Sequence, residues 1–234
     1  VVVVIAAAVV GIIFLLNRPT PKSKVAKPPT SVSKETSSTK VACPASDGSS
    51  ARRTSFSAPP PMCINPEKSY TAKVVTTAGD FTIALDAKSA PKTVNDFVFL
   101  ARYHFYDGLI FHRVIPGFVV QGGDPNPPTA ANPTPSGPQG PGFTVDGEVP
   151  APHHPQYPLG SVAMAKTATQ PPGASGSQFF IVVGPQGEDL PPDYSLFGRV
   201  VSGLSTVDKI EAGGTSSGVP KTIYKIVHVT ISES

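Results

Sequence analysis

Of the 28 prolines in this 234-residue chain, nine fall within residues 17–67 and eleven within residues 125–158. Proline fixes φ and has no N–H to donate, so neither stretch can supply helix interiors or central strands. Regular structure is thereby confined to residues 1–16 and to the rest of residues 68–234. Residues 17–67 also hold few large apolar side chains and no period. Such a composition buries too little surface to offset an ordering entropy of about 1–2 kcal/mol per residue, and a disordered Pro/Ser/Thr-rich linker is expected there. Residues 125–158 lie between regular segments, and a loop of that length inside a compact domain is usually functional or mobile.

The texture changes at Lys68. Residues 70–77 are β-prone, Ala78 and Gly79 make a turn, and Phe81, Ile83 and Leu85 then alternate with smaller or polar residues, which reads as a hairpin. Pro91 opens a helix on whose face Val94, Phe97, Val98 and Ala101 recur at i, i+3, i+4 and i+7. Further strands are expected over residues 110–115, 118–121, 161–165, 178–183, 196–201 and 224–231, with a short second helix marked by Leu204, Val207 and Ile210. About eight short strands and two helices in such a length predict a mainly β domain over residues 68–234, an antiparallel barrel capped by two α-helices.

Residues 1–16 are apolar throughout, with Gly11 the one interruption. As a helix they would reach about 24 Å against a hydrocarbon core of about 30 Å, so a transmembrane segment truncated at its N-terminus is expected. No small-residue cleavage site follows; Asn17, Arg18 and Pro19 do. The net charge of +3 divides by region: residues 17–67 carry eight Lys/Arg against three Asp/Glu, and residues 68–234 carry eleven against thirteen. The basic excess belongs to the linker, and the domain shows no basic cluster with interleaved aromatics, so nucleic acid is not an expected partner. Both cysteines, Cys43 and Cys63, lie in the linker. If they pair, they close a small loop whose loss should hardly affect the domain, and the pairing suits an oxidising, extracytoplasmic compartment.

The chemistry is carried by Phe111-His112-Arg113-Val114-Ile115-Pro116-Gly117-Phe118-Val119-Val120-Gln121-Gly122-Gly123-Asp124. Read without reference to any relative, Pro116-Gly117 is a tight turn between neighbouring strands, and Arg113 faces the second strand across the pair. Alternation puts Phe118 and Gln121 on opposite faces unless a bulge or twist intervenes. In isolation the segment is also compatible with an ordinary surface Arg beside an ordinary turn.

The segment resembles the most characteristic stretch of the cyclophilin family, and a second matching stretch follows, Gly160-Ser161-Val162-Ala163-Met164-Ala165 with Gly176-Ser177-Gln178-Phe179-Phe180-Ile181. Weaker agreement runs through residues 90–97, 105–108 and 197–200, so the resemblance spans residues 70–231 in order. It implies an eight-stranded barrel capped by two helices and peptidyl-prolyl cis/trans isomerase activity, here in a membrane-anchored bacterial form. The family's catalytic arginine falls on Arg113, its floor phenylalanine on Phe118 and its orienting glutamine on Gln121. Its substrate groove falls on Phe118, Val119, Met164, Ala165, Lys166, Gln178, Phe180, Leu190 and Tyr194, with the Lys166 backbone gripping the substrate chain. The resemblance implies no cofactor, proline-containing polypeptides as partners and a monomer. A chaperone or adaptor that binds proline peptides with little turnover is the alternative.

The sequence departs from the family at three places. Asp189 stands where a Trp is common, Tyr194 where the pocket His is, and the loop over residues 125–158 is long and proline-rich. The family inhibitor cyclosporin is commonly held by that indole N–H, so only weak cyclosporin binding is expected here. Other chemistry finds no support in the pattern. His104, His112, His153, His154 and His228 show no zinc spacing with the cysteines, no Ser sits in a nucleophile elbow, and Gly122-Gly123 and Gly213-Gly214 lack the Lys-Ser/Thr of a phosphate loop.

Overall fold

A computed structural model of the chain describes residues 41–129 and 140–234. The expected membrane segment, the linker up to residue 40 and the middle of the proline-rich loop lie outside the described residues. Among the described residues no helix is long and apolar enough to cross a membrane.

The elements run β1 (Tyr70–Thr76), β2 (Gly79–Leu85), α1 (Pro91–Arg102), β3 (Phe111–Ile115), β4 (Val119–Gly122), β5 (Val145–Asp146), β6 (Ser161–Met164), β7 (Ala174–Ser175) and β8 (Phe179–Val182). They continue through the single turn α2 (Pro185–Glu188), β9 (Leu196–Ser202), α3 (Leu204–Glu211) and β10 (Ile226–Glu233). Eight strands form one antiparallel sheet in the order β10-β1-β2-β9-β6-β8-β4-β3. The sheet curls until its edges meet. Phe111 N–H donates to Tyr224 O at 3.1 Å and Ile226 N–H to Leu109 O at 2.8 Å, with Ile110 bridging Lys225.

Alternation puts Tyr70, Ala72 and Val74 of β1 inside, opposite Leu85, Ile83 and Phe81 of β2. Val94, Phe97 and Val98 of α1 fill one end of the barrel, where Phe97 packs edge-on to Phe179 at 5.8 Å. Val207 and Ile210 of α3 turn toward the core. Helix α1 has no capping side chain of its own. Its free N–H groups at Lys92 and Thr93 donate to the Glu148 carboxylate at 2.9 and 3.1 Å, and the Thr93 hydroxyl adds a third bond at 2.8 Å. A carboxylate there also faces the positive end of the helix dipole, an arrangement worth about 1 kcal/mol. It ties the end of the proline-rich loop to the barrel, as does the two-stranded pairing of β5 with β7.

The expectation of a disordered linker fails over residues 41–67. Every residue of α1 from Thr93 to Arg102 is buried, not one face alone, because residues 41–64 lie across the outer face of the helix. Val41, Phe56 and Ile64 join the main core. The Phe56 ring sits 4.8 Å from Phe99 and 5.4 Å from Tyr103, beneath the Arg53 guanidinium. Polar contacts fix the rest of this strap. Asn95 accepts from Cys63 N–H at 2.6 Å and donates to Pro61 O at 3.0 Å, and Tyr103 donates to Ala42 O at 3.0 Å. Cys43 and Cys63 are joined as a disulfide. Prolines barred regular structure here but did not bar packing: one buried Phe and two aliphatic anchors suffice once a helix offers a second apolar face.

Candidate active site

The site lies on the outer face of β3, β4, β8 and β6. Register assembles it. Arg113 of β3 is opposite Gln121 of β4, Gln121 is opposite Phe180 of β8, and Phe180 is opposite Ala163 of β6. A bulge between Phe111 and Arg113 in β3 inserts His112 and brings Arg113 into that row. The conflict between Phe118 and Gln121 disappears because Phe118 precedes β4. It belongs to the Pro116-Gly117 turn, with its N–H on Ile115 O at 3.1 Å, while Val119 and Gln121 face the site from alternate positions of the strand. Glu211 at the end of α3 accepts the Gly117 N–H at 2.7 Å and pins this turn.

A cavity of about 320 Å³ opens there. Phe118, Val119, Phe180, Leu190 and Tyr194 form its apolar wall, and Arg113, Gln121, Ala165 and Lys166 its rim. Phe180 and Tyr194 meet edge to face at 5.3 Å, and the Lys166 ammonium lies 5.6 Å from the Tyr194 ring. A second cavity of about 590 Å³ adjoins it across the same rim residues, bounded by Gln178, His112 and Asp124 on one side and by Pro141 and Phe143 on another. Gln178 thus serves the second cavity.

Met164 is not where it was expected. It is fully buried in the barrel core with Val162 and Phe179, whereas Ala163 belongs to the apolar cluster of the cavity. The two residues are neighbours on β6 and necessarily face opposite sides of the sheet. Because both sides are buried, apolarity alone did not distinguish them.

Two side chains hold Arg113 in place. Its guanidinium carbon lies 5.3 Å from the Phe118 ring centroid, and one terminal nitrogen donates to Gln121 Oε1 at 3.3 Å. Among the described residues no carboxylate lies within ion-pair distance of it. Behind it, Gln121 Nε2 donates to Gln178 Oε1 at 2.8 Å and Gln178 Nε2 donates to Asp124 Oδ2 at 2.9 Å. Burial, and then the Arg113 charge, push His112 down to about 4, so its ring is neutral. No group of three or more His, Cys, Asp or Glu among the described residues could hold a metal ion.

Tyr157, at the end of the proline-rich loop, was not foreseen. It is fully buried beside Phe180 and Tyr194, donates to Tyr194 O at 3.0 Å and accepts Tyr194 N–H at 3.0 Å. Burial pushes its hydroxyl up to about 12. A lone aromatic just after a run of prolines was the available signal. Asp189 lines neither cavity; it is exposed, 3.5 Å from His154 Nδ1.

The family model "Cyclophilin type peptidyl-prolyl cis-trans isomerase/CLD" matches residues 71–231. A peptidyl-prolyl cis-trans isomerase of Helicobacter pylori is 39% identical over 152 residues, which are 62% of this chain and 83% of that one. Peptidyl-prolyl cis-trans isomerase A of Mycobacterium tuberculosis is 38% identical over 156 residues, 60% of this chain and 79% of that one. A solved cyclophilin-type isomerase of Cryptosporidium parvum superposes with a TM-score of 0.58 at 25% identity, covering 71% of this chain and 99% of its own. A second structure of it, determined in the presence of the dipeptide Ala-Pro, gives 0.58 at 28% identity and covers 70% of this chain and 99% of its own.

Proposed function

This chain belongs to the cyclophilin-type peptidyl-prolyl cis-trans isomerases, and from that premise we propose that it turns X-Pro bonds of folding polypeptides by stabilising the twisted amide with Arg113. Rotation faces a barrier of about 18–20 kcal/mol because the nitrogen lone pair is delocalised into the carbonyl. No bond is made or broken, so the catalyst needs neither nucleophile nor metal. It needs a surface that fits the twisted form better than either planar form, and an acceleration of about 10⁵ requires roughly 7 kcal/mol of such preference. The proline ring sits against Phe118, Phe180, Leu190 and Tyr194, while Gln121 and the Lys166 backbone hold the flanking chain, so that one half of the bond rotates against a fixed half. As the nitrogen becomes pyramidal its lone pair becomes an acceptor, and Arg113 donates to it.

One observation carries this reading: a guanidinium with no acidic partner among the described residues, stacked over the floor ring of an apolar cavity. The cis/trans exchange of an Ala-Pro peptide, followed by NMR line shape, is expected to accelerate in proportion to added protein. Peptide binding without faster exchange would leave a proline-peptide adaptor instead.

Proline-containing polypeptides are accordingly the proposed partners, met by a monomer. We place the domain outside the cytoplasm, on the cell membrane, with residues 1–16 as the anchor. The support is their apolar composition and the paired cysteines, which suit an oxidising compartment. Cyclosporin is expected to bind weakly, since Asp189, next in the chain to Leu190 of the cavity wall, offers no N–H donor and carries a charge. Asp189→Trp restores a donor and an apolar wall, and the inhibition constant measured on isomerase rate should fall about ten-fold, the equivalent of one hydrogen bond. An unchanged constant would show that Asp189 does not border the inhibitor.

A further inference from the structure

We propose that Asp124 is a positioning residue for the isomerase reaction: it sets the direction of the amide relay Asp124–Gln178–Gln121–Arg113 and so aims the guanidinium. The inference rests on the role given above to Arg113.

A glutamine amide has an acceptor end and a donor end, whereas a carboxylate only accepts and a guanidinium only donates. Two glutamines between them therefore satisfy every contact in a single sense. Gln178 gives its NH₂ to Asp124 at 2.9 Å, Gln121 gives its NH₂ to Gln178 at 2.8 Å, and the Gln121 carbonyl is left for Arg113 at 3.3 Å. Reversing either amide would point donors at Arg113 or acceptors at Asp124. The sense of the whole chain is thus decided at its carboxylate end.

That end is built to stay in place. Asp124 is 2% exposed, and its other oxygen accepts the Asn126 N–H at 2.9 Å. The preceding Gly123 has φ +87, and a Cβ there would collide with Ser177 O, so only glycine lets the two loops approach so closely. The buried Ser177 hydroxyl closes the contact on Gly123 O at 2.7 Å. Asp124 and Gln178, each the next residue after this seal, are locked together beside it. His112 beside them is neutral, so among the described residues Arg113 and Lys166 are the cations that line the cavity into which Asp124 faces.

The discriminating substitution changes polarity without changing shape. In Asp124→Asn the Asn126 N–H retains the new amide's oxygen, so its NH₂ faces Gln178. Gln178 and then Gln121 must turn over, and Gln121 presents its NH₂ to Arg113, donor against donor. In the full chain kcat should fall about ten-fold with KM within two-fold, since a charge-assisted hydrogen bond is lost while the apolar wall is untouched. Adding Gln178→Glu to Asp124→Asn moves the carboxylate one step along the relay. It accepts from both neighbours, returns the Gln121 carbonyl to Arg113, and should bring kcat back to within about three-fold of wild type.

A purely structural role for Asp124 would leave the double variant no faster than the single one, and that result overturns the proposal. So does an Asp124→Asn protein as fast as wild type when Arg113→Ala is slow. Should Arg113→Ala itself be fast, the reading of Arg113 fails instead, whatever Asp124 does. If Asp124→Asn loses its fold, Gln178→Met breaks the relay with Asp124 in place, and an unchanged kcat there is equally fatal.

Discussion

Replacing Arg113 by alanine should lower kcat/KM by about 10²–10³, the effect of deleting one donor that acts in the transition state. The loss should appear in kcat, while the dissociation constant of a proline peptide stays within a few-fold. In the planar ground state the prolyl nitrogen has no lone pair to offer, so Arg113 gains nothing from it. Only the twisted amide accepts the bond. The surroundings of Arg113 favour this division, because its side-chain acceptor among the described residues is the neutral Gln121 and its face rests on Phe118 at 5.3 Å. A guanidinium paired to a carboxylate would have to break that pair first. Arg113→Lys keeps the charge but loses the planar fork and should recover little. The measurement is a protease-coupled rate series on an X-Pro peptide beside a calorimetric titration. A rise in KM at constant kcat would make Arg113 a binding residue only, and equal rates would remove it from the mechanism.

The second large effect is expected on stability. Changing both Cys43 and Cys63 to serine should cost about 3 kcal/mol, the chain-entropy value for a closed loop of this size. For a domain of this length that is a fall in Tm of about 6–12 °C. The loop encloses Phe56, 4% exposed and packed on Phe99 and Tyr103, so opening it frees a core residue as well as a tether. Phe56→Ala should destabilise by about 3–5 kcal/mol on its own account. Because the bridge and the ring act on one segment, the two changes together should cost less than their sum. Urea denaturation of the four proteins checks this. An unchanged midpoint in the serine variant would mean that residues 41–64 sit on the domain as a dispensable tether. The strap also reaches the site: Phe56 N–H donates to Pro141 O at 2.8 Å, and its ring lies 6.1 Å from Phe143, both of which bound the larger cavity.

Local sequence determined the regular elements. Alternation in residues 70–85 and the i, i+3, i+4, i+7 apolar set from Val94 to Ala101 act within a few residues, and β1, β2 and α1 lie where those patterns end. Arg113, Phe118 and Gln121 were picked out by the family resemblance, whereas alternation alone left Phe118 and Gln121 on opposite faces; they meet because Phe118 precedes β4 and the bulge at His112 sets Arg113 opposite Gln121. The rest depended on which distant segment lies alongside. Ala163 rather than Met164 packs behind the cavity wall because of the register of β6 against β8 and β9, which no pattern within four apolar residues can express. Glu148 caps a helix 55 residues before it in the chain, Tyr157 braces Tyr194 37 residues after it, and Phe56 completes α1 from 43 residues upstream. Each is a single side chain in a proline-rich stretch, too isolated to make a period. Its energy comes from a partner that only the closed barrel places within reach. Propensity is set by near neighbours along the chain and burial by neighbours in space, so the sequence settled strands, helix and the Pro116-Gly117 turn, and the tertiary structure decided what covers, caps and surrounds them.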